Sequence, residues 1–284
     1  MLREIRELGF EHAELSHGIR LSLVPGVLEA VDAGEIKISS LHNFCPLPLG
    51  VLQAAPNLYQ FSAGADRDRE LAFKHTIKTL EFATRVNAPL VVLHLGSIEM
   101  KDYMGKLGKL LKSDGKISLK FEKLRAEALK TCEAKKENCV ARMKETLRRI
   151  LPEAEKRGIK LGCENRQALE ELPLDTDFED FLKEFQSPSI FYWHDTGHAQ
   201  IKDNFGILPH AKFLETLSPR LAGFHIHDVV FPARDHAEPG KGTIDYVSLK
   251  PFVKPEHVKV FEFSPSMPAL NAKNGAAHVK KIWG

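Results

Sequence analysis

Seven short apolar or β-branched runs recur along this chain, each followed by a longer stretch with helical spacing. They fall at 12–16 (HAELS), 36–41 (IKISSL), 90–95 (LVVLHL), 159–164 (IKLGCE), 190–195 (IFYWHD), 222–228 (AGFHIHD) and 258–263 (VKVFEF). Between them, stretches such as 67–86 and 121–157 return apolar residues every three or four positions. Strand and helix in alternation mean parallel pairing with helices outside, because parallel neighbours need a crossover. Strand centres uninterrupted by charge suit a sheet buried on both faces, closed into a barrel.

Length permits that reading. The 284 residues exceed the roughly 250 that one α/β barrel typically uses. We therefore expect one domain over 1–284, an α/β fold of the (β/α)8 TIM type. The chain opens on a helical pattern, Leu2, Ile5 and Leu8, with Gly9 as its stop. An eight-stranded barrel would then lack its first strand, or the natural chain begins earlier. An open seam leaves 12–16 and 258–263 as edges, which proteins cover or pair across a homodimer.

Composition narrows the function classes. Forty Lys and Arg against 38 acids give a net charge of +2, no field for holding a polyanion. Nothing near residue 1 resembles a signal peptide, and no apolar run approaches the roughly 20 residues of a membrane span. Cys45, Cys132, Cys139 and Cys163 contain no C-x-x-C pair, so reduced thiols in a cytoplasmic protein are expected. The segment 98–120, with six lysines and three glycines, reads as a solvated insertion or a flap over the site.

Ionisable residues gather where the strands end, the face on which a barrel builds its active site. They are His42, His94, Glu164, Asp195 with His198, His227, His236 and Glu262. A carboxylate ending an apolar strand is costly to bury unpaired, by several kcal/mol. Glu164, Asp195 and Glu262 converging on one mouth would repel unless a cation neutralised them, so a metal site is expected. By strand alternation, His194 and His225 point away from that mouth and read as structural. Trp193 reads as packing. Phe44 and Phe231 follow strand ends, where packing or apolar walls for a bound ligand are the two options.

The motifs ENR, DTGH, HIHD, PGKG-T-ID and EFSP, in this order, resemble the xylose isomerase-like barrel superfamily. The resemblance runs from about residue 2 to 264, nearly the whole chain. It implies a divalent metal (Mn²⁺, Zn²⁺, Mg²⁺ or Co²⁺) held by Glu164, Asp195, His227 and Glu262. It also implies isomerisation or epimerisation of a small sugar, sugar acid, polyol or sugar phosphate, by proton transfer through a metal-stabilised enediolate. Glu164 and Glu262 are the expected catalytic carboxylates. His198, His236 and Arg166 are the expected substrate contacts, with Arg166 equally suited to neutralising the acids.

Endonuclease IV, in the same superfamily, adds zinc ligands at positions matching His42 and His94, which remain candidates for a second metal or for substrate. Its third zinc needs an aspartate where this chain has Arg234, with Asp235 displaced by one. Nucleic acid is accordingly not expected as a partner, although Lys106, Lys109, Lys112 and Lys116 offer a local patch. The alternatives are a zinc phosphodiesterase on abasic DNA, a keto-sugar dehydratase or lyase, and a non-catalytic sugar-binding barrel.

Overall fold

A computed structural model describes residues 1–284. The chain begins with α1 (Leu2–Glu7), β1 (His12–Leu15), α2 (Val24–Asp32), β2 (Lys37–His42), α3 (Asp66–Arg85) and β3 (Leu90–Leu93). It continues through α4 (Met104–Asp114), α5 (Leu119–Arg157), β4 (Lys160–Glu164), α6 (Phe178–Glu184), β5 (Ile190–Asp195), α7 (Thr196–Asn204) and α8 (His210–Leu217). Then come β6 (Leu221–Ile226), β7 (Asp228–Val230), β8 (Arg234–Ala237), α9 (Tyr246–Leu249), β9 (Val258–Phe261) and α10 (Ala269–Trp283).

Every expected strand forms. Seven of them follow the sheet order β1-β2-β3-β4-β5-β6-β9, so β1 and β9 are the two ends of that order, at the expected seam. The opening helix also forms, and Gly9 just past it has φ +92°, a backbone state that side chains with a Cβ rarely adopt. One element was not foreseen. β7 and β8 pair as a short antiparallel hairpin in what reads as loop, because charge and the Phe231–Pro232 turn mask its alternation.

Contacts gather the chain into two compact units that interleave in sequence. The first comprises Met1–Ser97, Asn138–Glu164 and Glu184–Phe191. Its centre is the parallel pairing of β1 to β2, β2 to β3 and β3 to β4, with Leu41, Val91, Val92, Leu93 and Leu161 inaccessible to solvent. Helix α3 is locked to β2 by the buried Asn43 amide, which donates to Thr76 Oγ1 and accepts from Thr79 Oγ1, both at 2.9 Å.

The second unit comprises Ile98–Glu137, Asn165–Lys183 and Tyr192–Gly284. There β6 pairs with β5 and with β9. Trp193 is fully buried, as expected of a packing residue, and lies so close to β6 that a Cβ on Gly223 would sit 2.5 Å from its ring. The lysine-rich 98–120 segment is largely helical. In α4, Leu107 and Leu111 are buried while Lys106, Lys109 and Lys112 are exposed, an ordinary amphipathic pattern. No helix is long and apolar enough to cross a membrane. All four cysteines are buried free thiols.

Candidate metal centre

In the first unit, consecutive strands deliver His42, His94 and Glu164 to one place. Their ligand atoms lie within 4.8 Å of one another, and all three are buried. The ring protons can be assigned from the partners. His42 Nδ1 is 3.0 Å from the Asn43 carbonyl, which only accepts, so Nδ1 carries the proton and Nε2 the lone pair. His94 Nδ1 meets Asn57 Oδ1 at 2.8 Å, with the same consequence. Both bare Nε2 atoms then face Glu164 Oε2, at 3.7 Å from His42 and 2.7 Å from His94. Two acceptors at 2.7 Å repel unless a proton or a cation lies between them. Two imidazoles oriented by their outer nitrogens around one carboxylate form a donor set suited to a divalent transition metal.

The second unit builds a different cluster around Asp195, the last residue of β5. Its backbone is clamped by Asn165, whose Oδ1 accepts the Asp195 N–H at 2.7 Å while Nδ2 donates to the Asp195 carbonyl at 3.0 Å. Asp195 also caps α7, with Oδ1 accepting the His198 N–H at 2.7 Å. Asp195, His225 and Glu262 bring ligand atoms within 4.8 Å of one another. His225 Nδ1 is 3.3 Å from Glu262 Oε2 and 3.9 Å from Asp195 Oδ2.

This corrects the expectation that His225 points away. Residues two apart along a strand share a face, so His225, inside β6, lies on the same side as His227. Both histidines therefore reach Asp195. His227 does so as a donor. Its Nδ1 accepts the His236 N–H at 2.9 Å, so its proton is on Nε2, 3.2 Å from Asp195 Oδ2. Its ring lies flat on the first turn of α7, and DTGH needs its glycine for that reason: a Cβ on Gly197 would come 2.0 Å from His227 Cε1.

His236, on β8, stacks on His227 at 4.3 Å between centroids. Its Nδ1 is 3.2 Å from Asp235 Oδ1 and its Nε2 is 3.6 Å from Glu262 Oε1. Burial opposes charge on this ring, but Asp235 and Glu262 outweigh it and lift its pKa to about 10. Asp235, displaced by one from the family position, thus turns onto His236, while Arg234 is exposed. His198 is buried beside Asp195, with Nδ1 donating to the Asn165 carbonyl at 3.0 Å. Arg166 Nε pairs with Glu171 Oε1 at 3.1 Å, a partner outside the acids expected of it.

His194 is the structural residue it was taken for, fully buried between Tyr192 and His210. Phe44 is buried against Tyr59, while Phe231 is 45% exposed at the hairpin turn. Four residues escaped the sequence reading. His17 lies two positions past β1, its ring 4.6 Å from that of His42, and strand-end position alone could have found it. Asn57 carries no signal beyond polarity, and Asn165 is visible only as the middle residue of ENR. Asp228 accepts the N–H groups of Val229, Gly240, Gly242 and Ile244, pinning the Gly-rich turn after β8.

No curated protein matches the chain by sequence. The family described as xylose isomerase-like TIM barrel matches residues 2–281. Among solved structures, a D-tagatose 3-epimerase-like protein is similar at a TM-score of 0.70 and 20% identity, covering 99% of this chain and 92% of that one. D-psicose 3-epimerase from Clostridium cellulolyticum H10, solved with D-tagatose, is similar at 0.68 and 14%, covering 99% and 92%. The IOLI protein with a zinc atom is similar at 0.65 and 15%, again over 99% and 92%.

Proposed function

Because this chain belongs to the xylose isomerase-like TIM-barrel family, with the one-strand-short α/β fold read from its sequence, we propose that it is a divalent-metal-dependent isomerase or epimerase of a small sugar, sugar acid, polyol or sugar phosphate. The observation that carries this reading is the convergence of Asp195, His225 and Glu262, with ligand atoms within 4.8 Å of one another at the ends of three parallel strands. The family resemblance makes Glu164 a further ligand, and within the second unit the Asn165 amide holds both backbone atoms of Asp195. Two imidazoles are on offer: His225 Nδ1 is 3.3 Å from Glu262 Oε2, and the expected His227 joins His236 and Glu262 in a second group with ligand atoms within 4.8 Å of one another.

A cation bound there would draw charge from adjacent oxygens of an α-hydroxy carbonyl and so acidify the neighbouring C–H. The residues do the rest. Glu164 and Glu262 remove and return the proton, and His236, held cationic, offers an N–H to a substrate oxygen. His198 supplies a second polar edge. His42 and His94, aimed at Glu164, suit a second cation or a substrate oxygen. The sugar-epimerase neighbours support the substrate class, and the zinc of the IOLI protein supports a metal. Buried free thiols fit a cytoplasmic location, and the end strands β1 and β9 fit a homodimer, testable by sedimentation.

The decisive experiment is solvent deuterium incorporation into a panel of ketoses and aldoses, with Mn²⁺ present. We expect exchange at the carbon beside the carbonyl, lost in Glu164→Gln and Glu262→Gln. A protein that binds Mn²⁺ yet exchanges no substrate proton, or variants that match the wild type, would sink the reading. Cleavage of an abasic duplex would favour the phosphodiesterase instead, and a product lighter by one water the dehydratase.

A further inference from the structure

A buried file of polar side chains crosses the second unit, and proton transfer at the site uses none of it. It starts at Asn165, clamped to the backbone of Asp195. The Tyr192 hydroxyl lies 3.1 Å from Asn165 Oδ1 and 2.6 Å from His194 Nδ1, and its single proton serves one of the two. His194 Nε2 is 2.9 Å from His210 Nε2, a distance bridged by one N–H. His210 Nδ1 meets Gln200 Oε1 at 3.0 Å, Gln200 Nε2 donates to Asn204 Oδ1 at 3.0 Å, and Asn204 Nδ2 donates to the Pro232 carbonyl at 3.0 Å. Asn165, Tyr192, His194, His210 and Gln200 are all buried.

The two ends of this file matter. One is the backbone of Asp195. The other is the turn of the β7–β8 hairpin, four residues before His236. We propose that the file is a positioning device that holds the hairpin, and with it His236, in register with the Asp195 carboxylate.

Three arguments support it. An apolar filling of the same shape would satisfy packing at lower desolvation cost, so six linked polar groups need another reason to be there. Each member spans two partners, so losing one leaves buried neighbours unsatisfied and the file acts as a unit. Finally, His227 already joins the hairpin to Asp195 from the inside, through the His236 N–H on Nδ1 and Asp195 on Nε2. The file is a second brace on the outside, and two braces fix a rotation that one leaves open. The inference rests on reading Asp195 as part of a cation site and names residues that orient it without touching substrate.

The test compares His210→Leu, which breaks the file, with His210→Gln, which keeps one donor and one acceptor. Hydrogen–deuterium exchange over 231–243 is followed with and without MnCl2, and Mn²⁺ affinity is measured by calorimetry. We expect Mn²⁺ to slow exchange in the wild-type hairpin. His210→Leu should abolish that slowing and weaken Mn²⁺ about tenfold, in the range seen when groups behind a ligand are removed, and His210→Gln should restore both. A folded His210→Leu protein that keeps both properties overturns the proposal, as does a Gln variant no better than Leu. Should the wild type take up no Mn²⁺, the cation-site reading alone fails, and metal-free exchange decides. Asn204→Leu, at the half-exposed end of the file, must then speed exchange at Asp195 and His198 while leaving β2 and β3 unchanged, and no change there overturns the inference. The same variant serves if His210→Leu does not fold.

Discussion

His94 Nε2 lies 2.7 Å from Glu164 Oε2, and Asn57 Oδ1 holds the proton on the other ring nitrogen at 2.8 Å. The histidine is thereby locked in the tautomer that presents a lone pair to a carboxylate, an arrangement that awaits a proton or a cation.

Removing that lock should weaken metal binding without touching a ligand. In Asn57→Leu, His94 is free to shift its proton to Nε2 and donate to Glu164, competing with a cation. We expect binding at this first-unit site to weaken about 10- to 100-fold, read from the visible absorption of Co²⁺ during titration. An unchanged Co²⁺ spectrum and affinity would show that Asn57 does not govern the tautomer.

Acid should unfold the protein through His210. Burial pushes this imidazole down to about 4, from an ordinary value of 6.5. The folded state therefore binds fewer protons than the unfolded chain between those values, and stability is lost as pH falls from about 6.5 toward 4. The loss is about 3 kcal/mol at most, at roughly 1.4 kcal/mol per pH unit. His194, fully buried and shifted the same way, adds to it. His210→Gln should flatten the urea-derived stability profile between pH 6.5 and 4; an equally steep profile would assign the acid sensitivity elsewhere.

Gly197→Ala should damage the site more than the fold. The new methyl meets the His227 ring at 2.0 Å, and the ring must leave Asp195 to make room. Overpacking of this kind costs about 1–3 kcal/mol. We expect a lowered Tm together with weaker Mn²⁺ binding, whereas a lowered Tm with unchanged affinity would mean that His227 does not support Asp195.

Asp228→Asn should loosen the turn that follows β8. One carboxylate accepts four backbone N–H groups there, and an amide offers one oxygen plus a donor that opposes N–H. The loss should be at least about 2 kcal/mol, since buried donors left unsatisfied cost about 1–3 kcal/mol each. Exchange should rise at Gly240, Gly242 and Ile244. Protection preserved at all three would contradict it.

Much of this was legible in the chain. The alternation of 190–195 and its neighbours carried the strand order, and Leu2 to Gly9 carried the opening helix, because burial on both faces of a parallel strand writes itself as an uninterrupted apolar run. Strand-end position also carried Glu164, Asp195 and Glu262. It failed at β6, where His225 was given the outward face although a two-residue period places it on the same side as His227.

Sequence by itself determined which ionisable residues stand at strand ends, since a strand end is a local property read from apolar length and turn chemistry. Tertiary structure alone decided what each one does there. Which acids His225 and His227 each meet, and which ring nitrogen of His94 carries the proton, depend on partners tens of residues away. A hydrogen bond is directional over less than about 3.5 Å, and no pattern along the chain encodes which distant carbonyl or carboxylate will stand at that range.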